Sequence, residues 1–152
     1  MIRATAIVTA VLAVTAAGAL ADETAPQDVK FEDLAVAASL TGKAGDPAAG
    51  RDIFKDRKLG NCLACHTNAD MQKELFHGTV GPAMDGAGDR WEPAQLRAII
   101  TDAKQVFGEQ TVMPGFYSLA VGKDVREDLV GKTILTAQQI EDVVAYVATL
   151  KE

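Results

Sequence analysis

Apolar and polar positions near the carboxyl end of the chain follow the 3.6-residue period of a helix with one buried face. The apolar positions of this stretch are Ile140, Val143, Val144 and Val147, with Tyr146 on the flank. Thr136 and Gln139 form a capping box just before them, and Leu135 is placed as a hydrophobic staple against Ile140. The pattern therefore predicts a helix that begins directly after Thr136.

Two further helices are predicted where a proline precedes apolar residues at helical spacing. Asp46 has the position of an N-cap and Pro47 that of a first helical residue, which predicts a helix over about residues 48–58. Pro93 marks a second start, followed to about residue 104 by the apolar residues Leu96, Ile99 and Ile100. No alternating run is long enough to indicate a sheet. The predicted fold is all-α, with three to four helices joined by long loops.

Residues 22–45 form an extension before the first of these helices. Its first part is polar, and its later apolar residues fall at the spacing of one helical face: Phe31, Leu34, Ala35 and Ala38. This spacing predicts a short helix whose apolar face needs a cover. The cover is either the core of the same domain or a partner subunit, and the pattern alone leaves both open.

The connections between the predicted helices are long for a small domain. Residues 67–80 are polar and irregular, residues 85–89 are rich in glycine, and residues 118–133 indicate a surface excursion with at most a short helix. Long loops usually count against such an assignment. A bulky prosthetic group resolves the difficulty, because the loops can pack against it.

Length and composition indicate one domain, residues 46–152, with enough apolar material for a core. The chain has 152 residues, of which 48% are hydrophobic and only 5% aromatic. Its formal net charge of -6 speaks against nucleic acid as a partner, since phosphates require a basic surface.

The first 21 residues have the form of a secretory signal peptide. Arg3 provides a positive start, an apolar run follows over residues 4–17, and residues 19–21 have the small-x-small form of a cleavage site. An uncleaved membrane anchor is the alternative, because the apolar run is close to the ~20 residues that span a bilayer. The pattern predicts that the signal peptide is cleaved. The mature protein then starts at Asp22, lies in the periplasm and has no membrane contact.

Cys62, Cys65 and His66 form a C-x-x-C-H motif and include the only two cysteines of the chain. Such a motif attaches one c-type haem, because the two thiols add to the vinyl groups of the porphyrin and the adjacent imidazole binds the iron. The sequence therefore predicts a single, covalently bound haem c with His66 as one axial ligand.

The second axial ligand is predicted to be Met113. Met71 follows His66 too closely to pass round the edge of the macrocycle, and Met84 follows a turn on the histidine side, so we interpret both as core residues. Met113 lies after a helix in a loop stiffened by a proline and can reach the far face. His77 is the alternative ligand, and it would lower the reduction potential.

Two other uses of the cysteines are less consistent with the sequence. A dithiol oxidoreductase needs a βαβ context, which the helical patterns do not provide. A zinc site formed with His66 and His77 lacks the usual short gap between histidines.

The chain resembles a class I cytochrome c from about residue 46 to residue 151. The residues that carry the resemblance are Gly50, Phe54, the motif at Cys62 to His66, Gly81-Pro82, Met113-Pro114 and Tyr146. More narrowly, the chain resembles the SoxX family, the monohaem subunits of the SoxAX cytochromes of bacterial thiosulfate oxidation. The segments of this second resemblance are Ser39 to Gly42, Gly60 to His66, Thr111 to Pro114, Phe116-Tyr117 and Leu135 to Gln138.

The resemblance implies three roles that spacing alone does not. The carbonyl of Pro82 accepts a hydrogen bond from the His66 imidazole, which fixes the tautomer and tunes the metal. Arg90 binds a haem propionate. The helices that carry Gly50, Phe54 and Tyr146 cross closely, and Gly50 permits contact between the backbones.

The resemblance also implies a function. SoxAX joins thiosulfate oxidatively to a cysteine of a SoxYZ-type carrier protein, and the SoxA subunit holds the catalytic site. This chain is then the non-catalytic, electron-accepting subunit of a heterodimer with a SoxA-like cytochrome, and it passes electrons to a small c-type cytochrome. A free-standing periplasmic electron carrier is the alternative. The extension over residues 22–45 discriminates between the two, since a carrier has no need of it.

Overall fold

A computed structural model describes residues 23–122 and 124–152. The predicted signal peptide lies outside the described residues, and both its cleavage and the domain boundary at residue 46 stay predictions. Within the described ranges, none of the helices has the length and apolar character needed to cross a bilayer.

The described part of the chain contains four α-helices and no strand, so the all-α prediction is confirmed. The helices are α1 (Pro47–Lys55), α2 (Ala87–Arg90), α3 (Pro93–Phe107) and α4 (Ala137–Val147). Four short 3₁₀ turns accompany them at Pro26–Asp28, Cys62–Ala64, Ala69–Met71 and Glu127–Leu129. The sequence did not predict α2, because its glycine-rich residues are typical of a loop. The surface excursion over residues 118–133 is confirmed, and Glu127–Leu129 is the only helical turn among its described residues.

The predicted helix starts are confirmed by their capping contacts. The Asp46 carboxylate accepts a hydrogen bond from the Ala48 N–H at 2.8 Å. At α4, the Gln139 N–H donates to the Thr136 hydroxyl at 3.3 Å, and the Thr136 N–H donates to the Gln139 side chain at 2.9 Å. The end of α1 at Lys55 falls short of the predicted end near residue 58, because the chain leaves the helical conformation at Asp56.

Helices α1 and α4 cross closely, as the resemblance implies. A Cβ atom on Gly50 would lie 1.9 Å from the Asp142 carbonyl oxygen, so only glycine allows this approach. One turn further on, the ring of Phe54 meets the ring of Tyr146 edge to face, with centroids 5.5 Å apart. The crossing fixes the positions of α1, which precedes the cysteine motif, and of α4, the last helix of the chain, relative to each other.

The predicted helix within the extension is wrong. The chain reverses at Asp33 and Leu34, which have φ values of 49° and 62°, and Glu32 pairs with Ala35 across the turn. Leu34 is 54% exposed and contributes nothing to the core. Val36 and Leu40 are the buried residues instead. The apolar spacing of the segment therefore reflects a tight turn followed by an extended stretch, and not a helical face.

The extension packs on its own domain, which answers the question that the sequence left open. The Leu40 N–H donates to the buried carboxylate of Glu141 in α4 at 2.7 Å. Arg97 in α3 donates to the same carboxylate at 2.9 and 3.0 Å and to the Val36 carbonyl at 2.8 Å. A buried ion pair thus ties the extension to two helices.

Candidate functional site

The cysteine motif adopts a compact turn that begins with a left-handed residue. Asn61 has φ 48° and ψ 34°, and the 3₁₀ turn Cys62–Ala64 follows it. The N–H groups of Cys65 and His66 both donate to the Cys62 carbonyl, at 3.1 and 3.0 Å. Both cysteine side chains are partly buried, and neither forms a disulfide. The turn brings two unpaired thiols and an imidazole together, as attachment to a single group requires.

Burial raises the pKa of the Cys62 thiol to about 12. A redox-active dithiol needs a thiolate, and this environment disfavours it. For the zinc alternative, no three His, Cys, Asp or Glu side chains converge as metal ligands anywhere in residues 23–122 and 124–152. The geometry thus offers neither competing chemistry a suitable site.

His66 is oriented by the loop that contains Pro82. The imidazole Nδ1 lies 2.7 Å from the Pro82 carbonyl oxygen, so the hydrogen bond implied by the resemblance is present. Because a carbonyl only accepts, Nδ1 carries the proton, and the lone pair is on Nε2. This is the tautomer that a metal-binding histidine needs.

Glycines allow this loop to lie directly against the motif. A Cβ on Gly81 would lie 2.3 Å from the His66 ring, and one on Gly78 would lie 1.9 Å from the Ala64 carbonyl oxygen. The Gly81 N–H donates to the Cys65 carbonyl at 2.8 Å. The loop therefore lies directly against one side of the His66 ring and helps to fix its orientation.

His77, the alternative axial ligand, is engaged by the backbone at both ring nitrogens. Its Nδ1 accepts from the Asn68 N–H at 3.3 Å, and its Nε2 lies 3.1 Å from the Met71 carbonyl oxygen. Binding a metal would break at least one of these contacts. The structure therefore favours His77 as a support of the loop after the motif.

Asn68 is a site residue that the sequence analysis missed. It is 1% exposed, and its side chain donates to the Tyr146 hydroxyl at 2.9 Å and accepts from the Asp70 N–H at 3.1 Å. The Tyr146 hydroxyl donates to the Asp70 carboxylate at 2.8 Å, and Arg51 donates to the same carboxylate at 3.0 Å. Burial, followed by the contact with Asp70, raises the pKa of Tyr146. An asparagine in a polar loop gives no sequence signal of such a role.

Arg90 lies at the end of α2 and binds the loop after Pro82. Its guanidinium donates to the Asp85 carbonyl at 2.5 Å and to the Ala83 carbonyl at 2.9 Å. These contacts place Arg90 beside the segment that supports His66. That one of its remaining N–H groups binds a haem propionate stays a prediction.

The methionines differ in burial. Met71 is 1% exposed and belongs to the core, as predicted. Met84 and Met113 are partly buried and pack against the core from outside. Met113 lies after α3, in a loop far along the chain from the cysteine motif.

The residues of this site fit a haem c. Two thiols without a disulfide stand beside the His66 imidazole, which bonds to the Pro82 carbonyl through Nδ1 and makes no hydrogen bond through Nε2 to the described residues. Large apolar side chains are exposed in two loops: Val80 is 71% exposed beside Gly81, whose loop contacts the His66 ring, and Val112 is 79% exposed beside Met113. A flat apolar macrocycle would cover such surface. The donor set and the open apolar surface therefore match a covalently attached, iron-containing porphyrin.

Comparisons with known proteins agree with this chemistry. The model of the family described as Cytochrome c matches residues 47–151. The chain is similar to a chain in the crystal structure of SoxXA from P. pantotrophus, with 47% identity and a TM-score of 0.79. That match covers 86% of this chain and 100% of the other.

Two further solved structures are less similar. The c-type cytochrome SorU from Sinorhizobium meliloti is 28% identical over 69% of this chain and 90% of the other, with a TM-score of 0.44. Ferric cytochrome c-550 from Paracoccus versutus is 21% identical over 71% of this chain and 99% of the other, with a TM-score of 0.40. No curated protein matches the chain.

Proposed function

The chain belongs to the cytochrome c family and, within it, to the SoxX cytochromes, and we propose that it is the electron-accepting subunit of a periplasmic SoxAX-type complex. The observation that carries the proposal is the 47% identity to a chain of SoxXA over the whole length of that chain. The match covers 86% of this chain and is therefore longer than the cytochrome domain alone, which the family model matches at residues 47–151.

The chain is an electron-transfer cytochrome with covalently bound haem c. When bound, the haem supplies an iron that changes oxidation state by one electron. Cys62 and Cys65 would hold the haem through thioethers, and His66 would bind its iron through Nε2. Pro82 holds the imidazole through Nδ1 at 2.7 Å, which keeps the ring in the metal-binding tautomer and increases its basicity.

Met113 is the second axial ligand in this proposal. The contacts of His77 with Asn68 and Met71 support this choice, because both nitrogens of the alternative ligand are engaged. A thioether favours reduced iron more than an imidazole does, so His66 and Met113 together suit an electron acceptor. With His66 and Met113 both binding the iron, the haem would transfer electrons and would not bind a substrate on the metal.

Replacement of Met113 by alanine is expected to remove the sulfur-to-iron absorption band and to lower the reduction potential. The decrease should be on the order of 0.1 V, a fraction of the roughly 0.8 V range that axial ligands set. Optical spectra and redox titration of the purified holoprotein measure both effects. Met84→Ala is the matched control and should keep the band, because the Met84 N–H donates to the Thr67 carbonyl at 2.9 Å, which places Met84 beside the segment of His66. An unchanged spectrum for Met113→Ala would exclude Met113 as a ligand.

The proposed partner is a SoxA-like cytochrome subunit, which holds the catalytic site for joining thiosulfate to a cysteine of a SoxYZ-type carrier. Oxidative formation of a sulfur–sulfur bond releases two electrons. This chain accepts them one at a time and delivers them to a small c-type cytochrome. Its own residues then act only by binding and tuning the haem and by contacting the partner.

The proposed location is the periplasm, reached through the predicted signal peptide over residues 1–21. Periplasmic export suits the chemistry, because it separates the two thiols from the reducing cytosol. Amino-terminal sequencing of the exported protein tests the predicted mature start at Asp22.

Affinity capture tests the subunit assignment. The tagged, haem-loaded full chain is expected to recover a second cytochrome from the periplasm of thiosulfate-grown cells, and the captured complex should reduce the haem of this chain when thiosulfate and the carrier protein are added. A monomer at all concentrations, which recovers no cytochrome and still exchanges electrons with a small cytochrome, would identify a free-standing carrier instead.

A further inference from the structure

Helix α3 is interrupted at Asp102, before the loop that carries Met113. Asp102 has φ -155° and ψ 96°, which are extended values inside a helix. In an uninterrupted helix the Lys104 N–H would donate to the Ile100 carbonyl. Here the Lys104 N–H donates to the Asp102 carboxylate at 3.1 Å. The Ile100 carbonyl is therefore available to another donor.

The segment after Met113 uses the carbonyls at this interruption. The Phe116 N–H donates to the Ile100 carbonyl at 3.3 Å, and the Tyr117 N–H donates to the Thr101 carbonyl at 3.0 Å. Gly115 lies close to Asp102, since a Cβ on that glycine would be 3.1 Å from the carboxylate. Phe116 and Tyr117 are both buried. The carboxyl side of the loop is thus fixed to the interrupted part of α3.

The segment before Met113 is held by the Lys104 side chain. Its ammonium group donates to the carbonyls of Glu109 and Thr111, each at 2.9 Å. Both are hydrogen bonds from a charged donor, which are stronger than bonds between neutral groups. Thr111 is two residues before Met113, so the amino side of the loop is fixed to the same short stretch of α3.

We propose that Lys104 and the interruption at Asp102 form a clamp that holds Met113 in place as an iron ligand. Lys104 is the positioning residue, because its side chain binds the amino side of the loop while its N–H binds Asp102, at the interruption that holds the carboxyl side. The inference deepens the proposed function and rests on it, since it takes Met113 as the second axial ligand. A fixed loop keeps the thioether close to the iron and makes its release rare.

Competition by imidazole measures how often the thioether is released. Added imidazole binds the ferric holoprotein only while Met113 is off the iron, so its apparent Kd varies inversely with the open fraction. In Lys104→Met the aliphatic stem remains and both hydrogen bonds are lost. The apparent Kd for imidazole is expected to fall by at least about tenfold. Loss of the sulfur-to-iron band during the titration reports the displacement.

Two matched variants separate positioning from other effects of the charge. Lys104→Arg keeps donors for the two carbonyls, and it is expected to restore most of the wild-type apparent Kd. Lys132→Met removes an exposed lysine elsewhere, and it is expected to leave the apparent Kd unchanged. Amide exchange in the holoprotein gives a second readout: the Phe116 and Tyr117 N–H groups should exchange faster in Lys104→Met than in Lys132→Met.

The outcomes distinguish the clamp from the ligand assignment. If Lys104→Met keeps the wild-type band and the wild-type apparent Kd, and its Phe116 and Tyr117 amides exchange at the wild-type rate, the clamp is refuted while Met113 remains the ligand. If Met113→Ala binds imidazole no better than the wild type and keeps its spectrum, the ligand assignment fails and the clamp fails with it.

Discussion

Replacement of His66 by alanine is expected to prevent stable loading of haem c. His66 provides the imidazole next to the two thiols, and its Nδ1 is already held by Pro82 at 2.7 Å for metal binding through Nε2. Changes to groups that merely support a metal ligand typically cost 10–100-fold in metal affinity. Loss of the ligand itself should therefore reduce the yield of holoprotein by at least about tenfold. A pyridine haemochrome spectrum of the purified chain measures the attached haem.

His77→Ala is the matched control for this prediction. His77 is the other histidine of the chain, and its ring contacts the backbone at Asn68 and Met71. Its removal should loosen the loop and leave most of the haem attached. Normal haem content in His66→Ala would contradict the assignment of the whole site.

Replacement of Glu141 by alanine is expected to give the largest loss of stability among single changes outside the haem site. Its carboxylate accepts from Arg97 at 2.9 and 3.0 Å and from the Leu40 N–H at 2.7 Å. The side chains of Arg97 and Glu141 are only 12% and 4% exposed, so truncation leaves a buried guanidinium without its partner. Breaking such a pair typically costs 3–5 kcal/mol. The total free energy of unfolding of such a domain is about 5–15 kcal/mol, so the loss would be a large part of it.

Denaturant unfolding of the holoprotein measures the loss of stability. Glu141→Gln keeps an acceptor for Leu40 and should retain part of the stability. Asp128→Ala breaks an ion pair with Arg126 whose side chains are 63% and 64% exposed, and it should change the stability little, because water screens exposed charges. Equal losses in Glu141→Ala and Asp128→Ala would show that the buried pair does not fasten the extension.

Helix starts and the haem motif could be predicted because their signals are local. Each cap satisfies backbone donors within one turn of its own helix, so the sequence shows both partners together. Asp46 caps the helix that begins at Pro47, and Thr136 and Gln139 cap the last helix. The cysteine motif is equally local, since its three groups act on one ligand. Glu141 and Asp142 show no comparable local signal, because the N–H groups that donate to them, at Leu40 and Asp46, lie 101 and 96 residues away.

The extension shows where local patterns fail. Its apolar spacing matches a helix, but a turn at Asp33 and Leu34 and a hydrogen bond from Leu40 to Glu141 give it an extended path on its own domain. Helical propensity in a short segment is weak, so contacts with the rest of the protein decide its conformation.

By itself, the sequence determined the helical class, the covalent haem and the relation to SoxX cytochromes, because each depends on residues close together in the chain or on a motif. Only the tertiary structure decided that both ring nitrogens of His77 contact the backbone, that Nδ1 of His66 lies 2.7 Å from the Pro82 carbonyl oxygen, and that α3 is interrupted before the Met113 loop. These features depend on which donors and acceptors meet across long separations. Buried polar groups need hydrogen-bond partners, and the packing of distant segments determines which partners are within reach.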